Sequence, residues 1–213
     1  MPLKLPRVYP ILDTETLSAR SLTLPAAAAA FLDGGAGILQ IRHKGHWSRD
    51  VFAAAQQVSR LCREAGALLI VNDRADFALL LDAGLHVGQD DLPPRDARKL
   101  LGPEPVIGFS SHNVAQLCAA GGEPVEYVAL GPVFPTASKQ NPDPTIGVEE
   151  IRRCRSLVDK PLVAIGGITL ANAADVLRAG ADSVAVIAGL LPQPATARSL
   201  RLRMEEWRQL AAS

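Results

Sequence analysis

Short runs of β-branched and leucine-rich residues recur along the chain, and each is followed by a longer stretch whose apolar positions repeat at helical spacing. The runs 8–12, 37–42, 68–72, 84–87, 106–110, 127–130, 162–165 and 183–187 predict strands. Most carry apolar residues at odd and even positions alike, as strands covered on both faces by helices do. Segments rich in Ala, Leu and Arg, such as 50–65, 148–157 and 171–179, predict the helices between them. Ala65-Gly66, Ala83-Gly84 and Ala179-Gly180 read as glycine caps leading into the next strand. Eight strand–helix units in 213 residues predict one α/β domain over 1–213, a (β/α)8 TIM barrel near the short end of its size range. A doubly wound open sheet competes, but no GxGxxG follows the first strand and a count of eight favours closure.

Composition narrows the class without altering that picture. Apolar residues make up 48% and charged residues 21%, too apolar for a disordered chain. The 22 basic and 22 acidic residues cancel, which argues against a general attraction to nucleic acid or an anionic membrane. With two Trp, two Tyr and five Phe, the core has to be built from Ala, Leu, Val and Ile. Cys62, Cys118 and Cys154 lie far apart with no CxxC. A disulfide scaffold or zinc ribbon is therefore not expected, and each cysteine reads as a buried helix residue in a reducing cytoplasm. Residues 1–30 lack the apolar centre of a signal peptide, and the apolar stretches 26–32 and 184–191 fall far short of a membrane span. The expectation is a soluble cytoplasmic protein acting on small molecules, without nucleic-acid or membrane partners and with room for a homo-oligomer.

In a barrel the chemistry belongs where strands end and loops begin, and the polar residues fall there. Gln40-Ile41-Arg42-His43-Lys44 alternates, so Gln40, Arg42 and Lys44 share one side, where two cations and an amide suit a polyanion such as a diphosphate. Their alternative is a solvated strand end. Asp73 and the pair Asp90-Asp91 follow neighbouring strands and could hold Mg²⁺ between carboxylates and substrate phosphate, or simply pair with Arg42 and Lys44. The Pro-punctuated loop from Gly131 through Thr136, Ser138 and Lys139 to Thr145 is long for a barrel connection and is expected to close over a phosphorylated ligand. Gly166-Gly167 and Ile187-Ala188-Gly189 end the seventh and eighth strands, where backbone phosphate cradles form; a simple tight turn is the alternative. His43 and His46 read as exposed and His86 as a packed, hydrogen-bonded core histidine; His112, at a strand end beside Ser110 and Ser111, reads first as structural, with contact to a ligand as the alternative. No Ser-His-Asp arrangement is present.

Taken in order, six segments resemble the motif series of the thiamine-phosphate synthase family. They are Gln40-Ile-Arg-His-Lys44, Ile70-Val-Asn-Asp-Arg74, His86-Val-Gly-Gln-Asp-Asp91, Gly108-Phe-Ser-Ser-His112, Gly131-Pro-Val-Phe-Pro-Thr136 and Ala164-Ile-Gly-Gly-Ile168. The resemblance covers nearly the whole chain. It implies a barrel that joins a hydroxymethylpyrimidine diphosphate to a thiazole phosphate with loss of diphosphate. It further implies that Gln40, Arg42, Lys44, Asn72 and Lys139 bind the pyrimidine diphosphate and that Asp73 and Asp91 hold Mg²⁺. Ser110 would touch the pyrimidine, and Thr136, Ala137, Ser138, Gly167, Ile187 and Ala188 would receive the thiazole phosphate. Arg42, Lys44 and Lys139 would neutralise the leaving group. The chain departs from the usual pattern at Ser138 (commonly Thr), at Ala188 (frequently Ser), and in a stretch one residue shorter between Asp76 and His86. Two rivals remain: a thiazole tautomerase of the sister family with His112 as the acid–base residue, and a non-catalytic barrel that binds thiazole or thiamine phosphate.

Overall fold

The computed structural model describes residues 3–136 and 144–212. Eight parallel strands close into a barrel in sequence order: β1 (Val8–Asp13), β2 (Ile38–Arg42), β3 (Leu68–Asn72), β4 (Gly84–Val87), β5 (Ile107–Ser111), β6 (Tyr127–Leu130), β7 (Leu162–Ile165) and β8 (Ser183–Val186). The ring shuts where Val8, Tyr9 and Pro10 pair with Val184, Ala185 and Val186. The helices among the described residues are α1 (Thr14–Ser18), α2 (Leu24–Asp33), α3 (Arg49–Ala65), α4 (Ala75–Leu80), α5 (Pro94–Leu101), α6 (Val114–Gly121), α7 (Gly147–Arg155), α8 (Ala173–Arg178) and α9 (Ala197–Ala212). None is long and apolar enough to cross a membrane.

Strand alternation divides the apolar residues into two cores. Leu12, Leu39, Ile41, Val71, Leu85, Val128, Leu130 and Val184 face outward and pack with helix residues such as Ala27, Phe31, Val58 and Leu200. Tyr9, Ile11, Ile38, Ile70, Tyr127, Ala129, Val163 and Ala185 face inward and pack with one another. Both tyrosines of the chain are therefore inside the barrel, edge to face with ring centroids 6.0 Å apart.

Small residues on neighbouring strands make room for them. Gly108 pairs with Tyr127 across β5 and β6, and a Cβ at Gly108 would sit 2.0 Å from Cζ of that ring. The expected caps hold at Ala65-Gly66, where Gly66 adopts φ 65°, and at Ala179-Gly180, where Gly180 has φ 112°. At Ala83-Gly84 the expectation is corrected. Helix α4 has already ended by Leu81, and Gly84 opens β4, where a Cβ would meet Ile70 Cδ1 at 2.5 Å and the Val106 carbonyl at 2.6 Å. Close strand packing, not a helix end, requires that glycine. Cys62 and Cys154 are buried as expected, and burial pushes the Cys62 thiol up to about 12; Cys118 is exposed.

Gly108→Ala would push the Tyr127 ring out of its slot. We expect a destabilisation of about 1–3 kcal/mol, as for other overpacked cores, read from the denaturant midpoint. An unchanged midpoint would contradict the tight seat assigned to the ring.

Candidate active site

A cavity of about 770 Å³ opens at the C-terminal ends of the strands. Its wall is made by the inward residue near the end of each strand, the same parity that fills the barrel lower down. Gln40 and Arg42 on β2, Asn72 on β3, His86 on β4, Ser110 on β5, Ala129 on β6, Ile165 on β7 and Ala185 on β8 all line it. The strand-to-helix connections add Lys44, Asp73, Asp91, His112, Thr136, Gly167, Ile187 and Ala188. The structure thus brings every described residue of the expected site to one cavity. Ala137, Ser138 and Lys139 lie outside the described residues.

The charged rim is paired in a specific way. Arg42 forms an ion pair with Asp13, the last residue of β1, which register places opposite it. Asp13 also caps α1, accepting from the Thr16 backbone N–H at 2.9 Å and its hydroxyl at 2.6 Å. Burial works against its charge, but those bonds and Arg42 hold the carboxyl below the ordinary range. Sequence reasoning missed Asp13; the signal was its parity with Tyr9 and Ile11 and an Asp-x-x-Thr cap.

Lys44 pairs with Asp73. Asp73 follows β3 in a left-handed conformation, φ 64°, with its N–H on the His86 carbonyl at 2.8 Å. Such a φ costs energy in any residue with a Cβ and is held only when the surroundings enforce it. Its carboxyl is raised above the usual range, first by burial and then by the Asp91 carboxyl within hydrogen-bond reach, with Lys44 opposing. Asp91 accepts from the Gly88 N–H at 2.7 Å, while Asp90 is exposed, so of the Asp90-Asp91 pair it is Asp91 that meets Asp73. Of the two sequence expectations the salt bridge is the one seen, between Asp73 and Lys44, while Asp73 also lies against a second carboxylate.

Two carboxylates pressed together in a partly desolvated site repel, and a divalent cation relieves that repulsion. No group of three or more His, Cys, Asp or Glu side chains among the described residues is arranged to hold a metal alone. Two carboxylates fit Mg²⁺, which typically takes its other oxygens from substrate phosphate and water. Next to them the Asn72 side-chain nitrogen is buried with no hydrogen-bond partner among the described residues. It is an unspent donor at the cavity wall, suited to an anionic oxygen.

Across the cavity the rim is glycine-lined, and its described residues are uncharged. Gly166 has φ 102°, and a Cβ there would meet the Pro132 backbone at 2.5 Å; at Gly167, φ 62°, it would meet the Pro135 carbonyl at 2.5 Å. The Val133 and Phe134 N–H groups donate to the Ile165 and Gly166 carbonyls at 2.9 and 3.0 Å. These glycines thus let two loops pack backbone to backbone, a stronger demand than a tight turn. Ile187 leads into a 3₁₀ turn, Ala188–Leu190, at the same rim.

The histidines separate by position. His86 is buried and bonded to Tyr127 Oη at 2.9 Å and Ser110 Oγ at 2.8 Å, the core histidine expected. His112 donates from Nδ1 to the Gly131 carbonyl at 2.8 Å. His46 is exposed; His43, expected to be exposed, is half-buried, bonded to the Thr14 hydroxyl at 2.7 Å and to the His46 carbonyl at 3.1 Å.

A closed (β/α)8 barrel with a cationic and acidic rim facing a glycine-lined rim places the chain among barrel proteins whose cavity is suited to anionic ligands. The family model described as thiamine monophosphate synthase matches residues 8–190. A thiamine-phosphate synthase of Koribacter versatilis (strain Ellin345) is 45% identical over 214 residues, covering 99% of this chain and 98% of that protein. One from Methanoculleus marisnigri is 43% identical over 201 residues, covering 92% and 94%. The solved thiamine phosphate pyrophosphorylase of Pyrococcus furiosus superposes with a TM-score of 0.83 at 32% identity, covering 97% of this chain and 96% of that one. The chain belongs to the thiamine monophosphate synthase family and is a transferase of thiamine biosynthesis.

Burial pulls His86 from 6.5 down to about 4. Between those values the unfolded chain binds a proton that the native state refuses, so this residue's contribution is complete above 6.5 and is lost as pH falls toward 4. The thermal midpoint of the wild type should therefore drop more steeply over that interval than that of His86→Gln. Parallel profiles would contradict a neutral, desolvated His86.

Proposed function

We propose that this chain joins 4-amino-2-methyl-5-(diphosphooxymethyl)pyrimidine to a thiazole phosphate, giving thiamine phosphate and diphosphate. The observation that carries the reading is the convergence of Arg42, Lys44, Asn72, Asp73 and Asp91 on one rim of a single cavity, opposite the glycine-lined rim. A diphosphate leaving group needs the first and a simple phosphate the second.

In the reaction the bond between the pyrimidine methylene carbon and the diphosphate oxygen breaks, and its electron pair leaves with the diphosphate. The electron-rich aminopyrimidine ring stabilises the positive methylene, and the thiazole nitrogen lone pair forms the new C–N bond. That nitrogen carries no proton, so no general base is required. Asp73 and Asp91 would hold Mg²⁺, whose chemistry when bound is to neutralise charge on the leaving diphosphate.

The chain's own residues do the rest. Arg42 and Lys44 hold and neutralise the diphosphate, with Lys139 joining them on the strength of its motif. Asp13 fixes the direction of the Arg42 guanidinium, and Asn72 offers its unspent N–H to a diphosphate oxygen. Gln40 and Ser110 take the pyrimidine ring. Gly167, Ile187 and Ala188, with Thr136, Ala137 and Ser138, take the thiazole phosphate. Holding both substrates removes the entropic cost of their encounter, and fixed cations stabilise charge as it develops. A reducing cytoplasm suits three unpaired cysteines, one of them exposed.

The assay is product formation from the two substrates with Mg²⁺ and with EDTA; turnover is expected only with the metal. Arg42→Ala and Asp73→Asn should each lower kcat/KM by about 10²–10³, the loss typical when a charge-stabilising group is removed, with circular dichroism unchanged. Near-normal rates in both variants would remove the proposed leaving-group site. A folded chain that makes no thiamine phosphate but isomerises a carboxylated thiazole phosphate would transfer the reading to the tautomerase, with His112 the next residue to replace.

A further inference from the structure

Below the charged rim one unbroken line of hydrogen bonds crosses the barrel. Gln40 Nε2 donates to Tyr9 Oη at 2.9 Å, Tyr9 Oη meets Tyr127 Oη at 2.9 Å, Tyr127 Oη meets His86 Nδ1 at 2.9 Å, and His86 Nε2 meets Ser110 Oγ at 2.8 Å. Gln40 and Ser110, the two ends, line the cavity, and Tyr9, His86 and Tyr127 between them form part of its floor. Tyr9 and Tyr127 are 1% and 0% exposed.

The direction of this line follows from counting protons. Tyr9 Oη accepts from Gln40, and among the described residues its single proton has one neighbour to go to, Tyr127 Oη; accepting there as well would leave a buried phenol proton without a partner. Tyr9 therefore donates to Tyr127. Tyr127 then gives its own proton to His86 Nδ1, which places the imidazole proton on Nε2. His86 is neutral, so Nε2–H donates to Ser110 Oγ and the Ser110 proton is left for a ligand. At the other end, with its NH₂ committed to Tyr9, Gln40 has its amide oxygen to offer.

We propose that Tyr9, Tyr127 and His86 are positioning residues that set Ser110 as a donor and Gln40 as an acceptor, so that the site selects a heteroaromatic ring whose edge carries an acceptor nitrogen beside an amino donor. This rests on the reading above, in which the pyrimidine lies against Gln40 and Ser110. An aminopyrimidine has that edge. Its 4-oxo counterpart, protonated at the adjacent ring nitrogen, presents the reverse and would meet donor with donor and acceptor with acceptor. A site that rejects such a mismatch does so because buried polar groups are left unpaired.

The test compares the full-length wild type with Tyr127→Phe and Tyr9→Phe. It measures the KM of the 4-amino pyrimidine diphosphate, the inhibition constant of its 4-oxo counterpart and the KM of the thiazole phosphate. Tyr127→Phe frees the His86 tautomer and with it the direction of Ser110; Tyr9→Phe frees the Gln40 amide to turn over. Each should narrow the preference for amino over oxo by about tenfold, the size of one net buried hydrogen bond, and leave the thiazole phosphate KM within about twofold. A purely structural role would instead lower the unfolding midpoint and kcat and leave the amino-to-oxo preference intact. An unchanged preference in both folded variants overturns the relay while the synthase reading stands. A wild type that forms no thiamine phosphate overturns the synthase reading, and this proposal with it.

Discussion

Closure of the sheet between β1 and β8 is the constraint on which the rest depends. A parallel strand left at an edge would expose its backbone groups, whereas a closed ring pairs all eight and leaves no edge. Closure also assigns every strand residue a side. Once Tyr9 points inward, so must Ile11 and Asp13, and the same parity sends Ile38, Gln40 and Arg42 to the interior from β2. The site is the upper end of that pattern, where polar residues replace the apolar ones that fill the interior below.

The transition between the two layers is the line from Gln40 to Ser110. A polar layer within an apolar interior is tolerable only when its members satisfy one another, since an unpaired buried donor or acceptor forfeits its hydration. Here a histidine and two tyrosines do so while facing small neighbours, and the fit leaves little slack: the Gly108 position is occupied, in effect, by the Tyr127 ring. The floor of the cavity is therefore rigid for reasons of packing and directional for reasons of hydrogen-bond arithmetic.

Charge at the rim follows different rules. Arg42 and Asp13 are nearly shielded from solvent, and each satisfies the other while Asp13 also spends its oxygens on a helix cap. Lys44 is more open, and among the described residues the group is less balanced: Lys44 pairs with Asp73, whose carboxyl also feels Asp91. A site built to bind further charge has this kind of imbalance, because a fully neutralised cluster would gain little from a ligand. The described residues of the opposite rim hold no such charge and present backbone instead, so these two parts of the cavity are chemically unlike and could orient two different phosphorylated molecules.

Much of this was legible in the order of residues. Alternation of apolar runs with helical stretches specifies eight strand–helix units, and polar residues at the strand ends mark the mouth, because both depend on local periodicity that each segment carries by itself. Gln40, Arg42, Lys44, Asn72, Asp73, the pair Asp90-Asp91 and Ser110 could be placed at strand ends on that basis, whereas only the family resemblance prefers Asp91 to Asp90. What required the tertiary structure were relations between segments far apart in the chain. The pairing of Arg42 with Asp13 rather than with Asp73 or Asp91, the role of Gly84 and Gly108 in admitting neighbouring side chains, and the passage of a hydrogen-bond line through Tyr9, Tyr127 and His86 all depend on strand register. Register is decided when eight strands close around one interior, and no single segment carries that information: which inward residue meets which is settled by the packing of the whole ring.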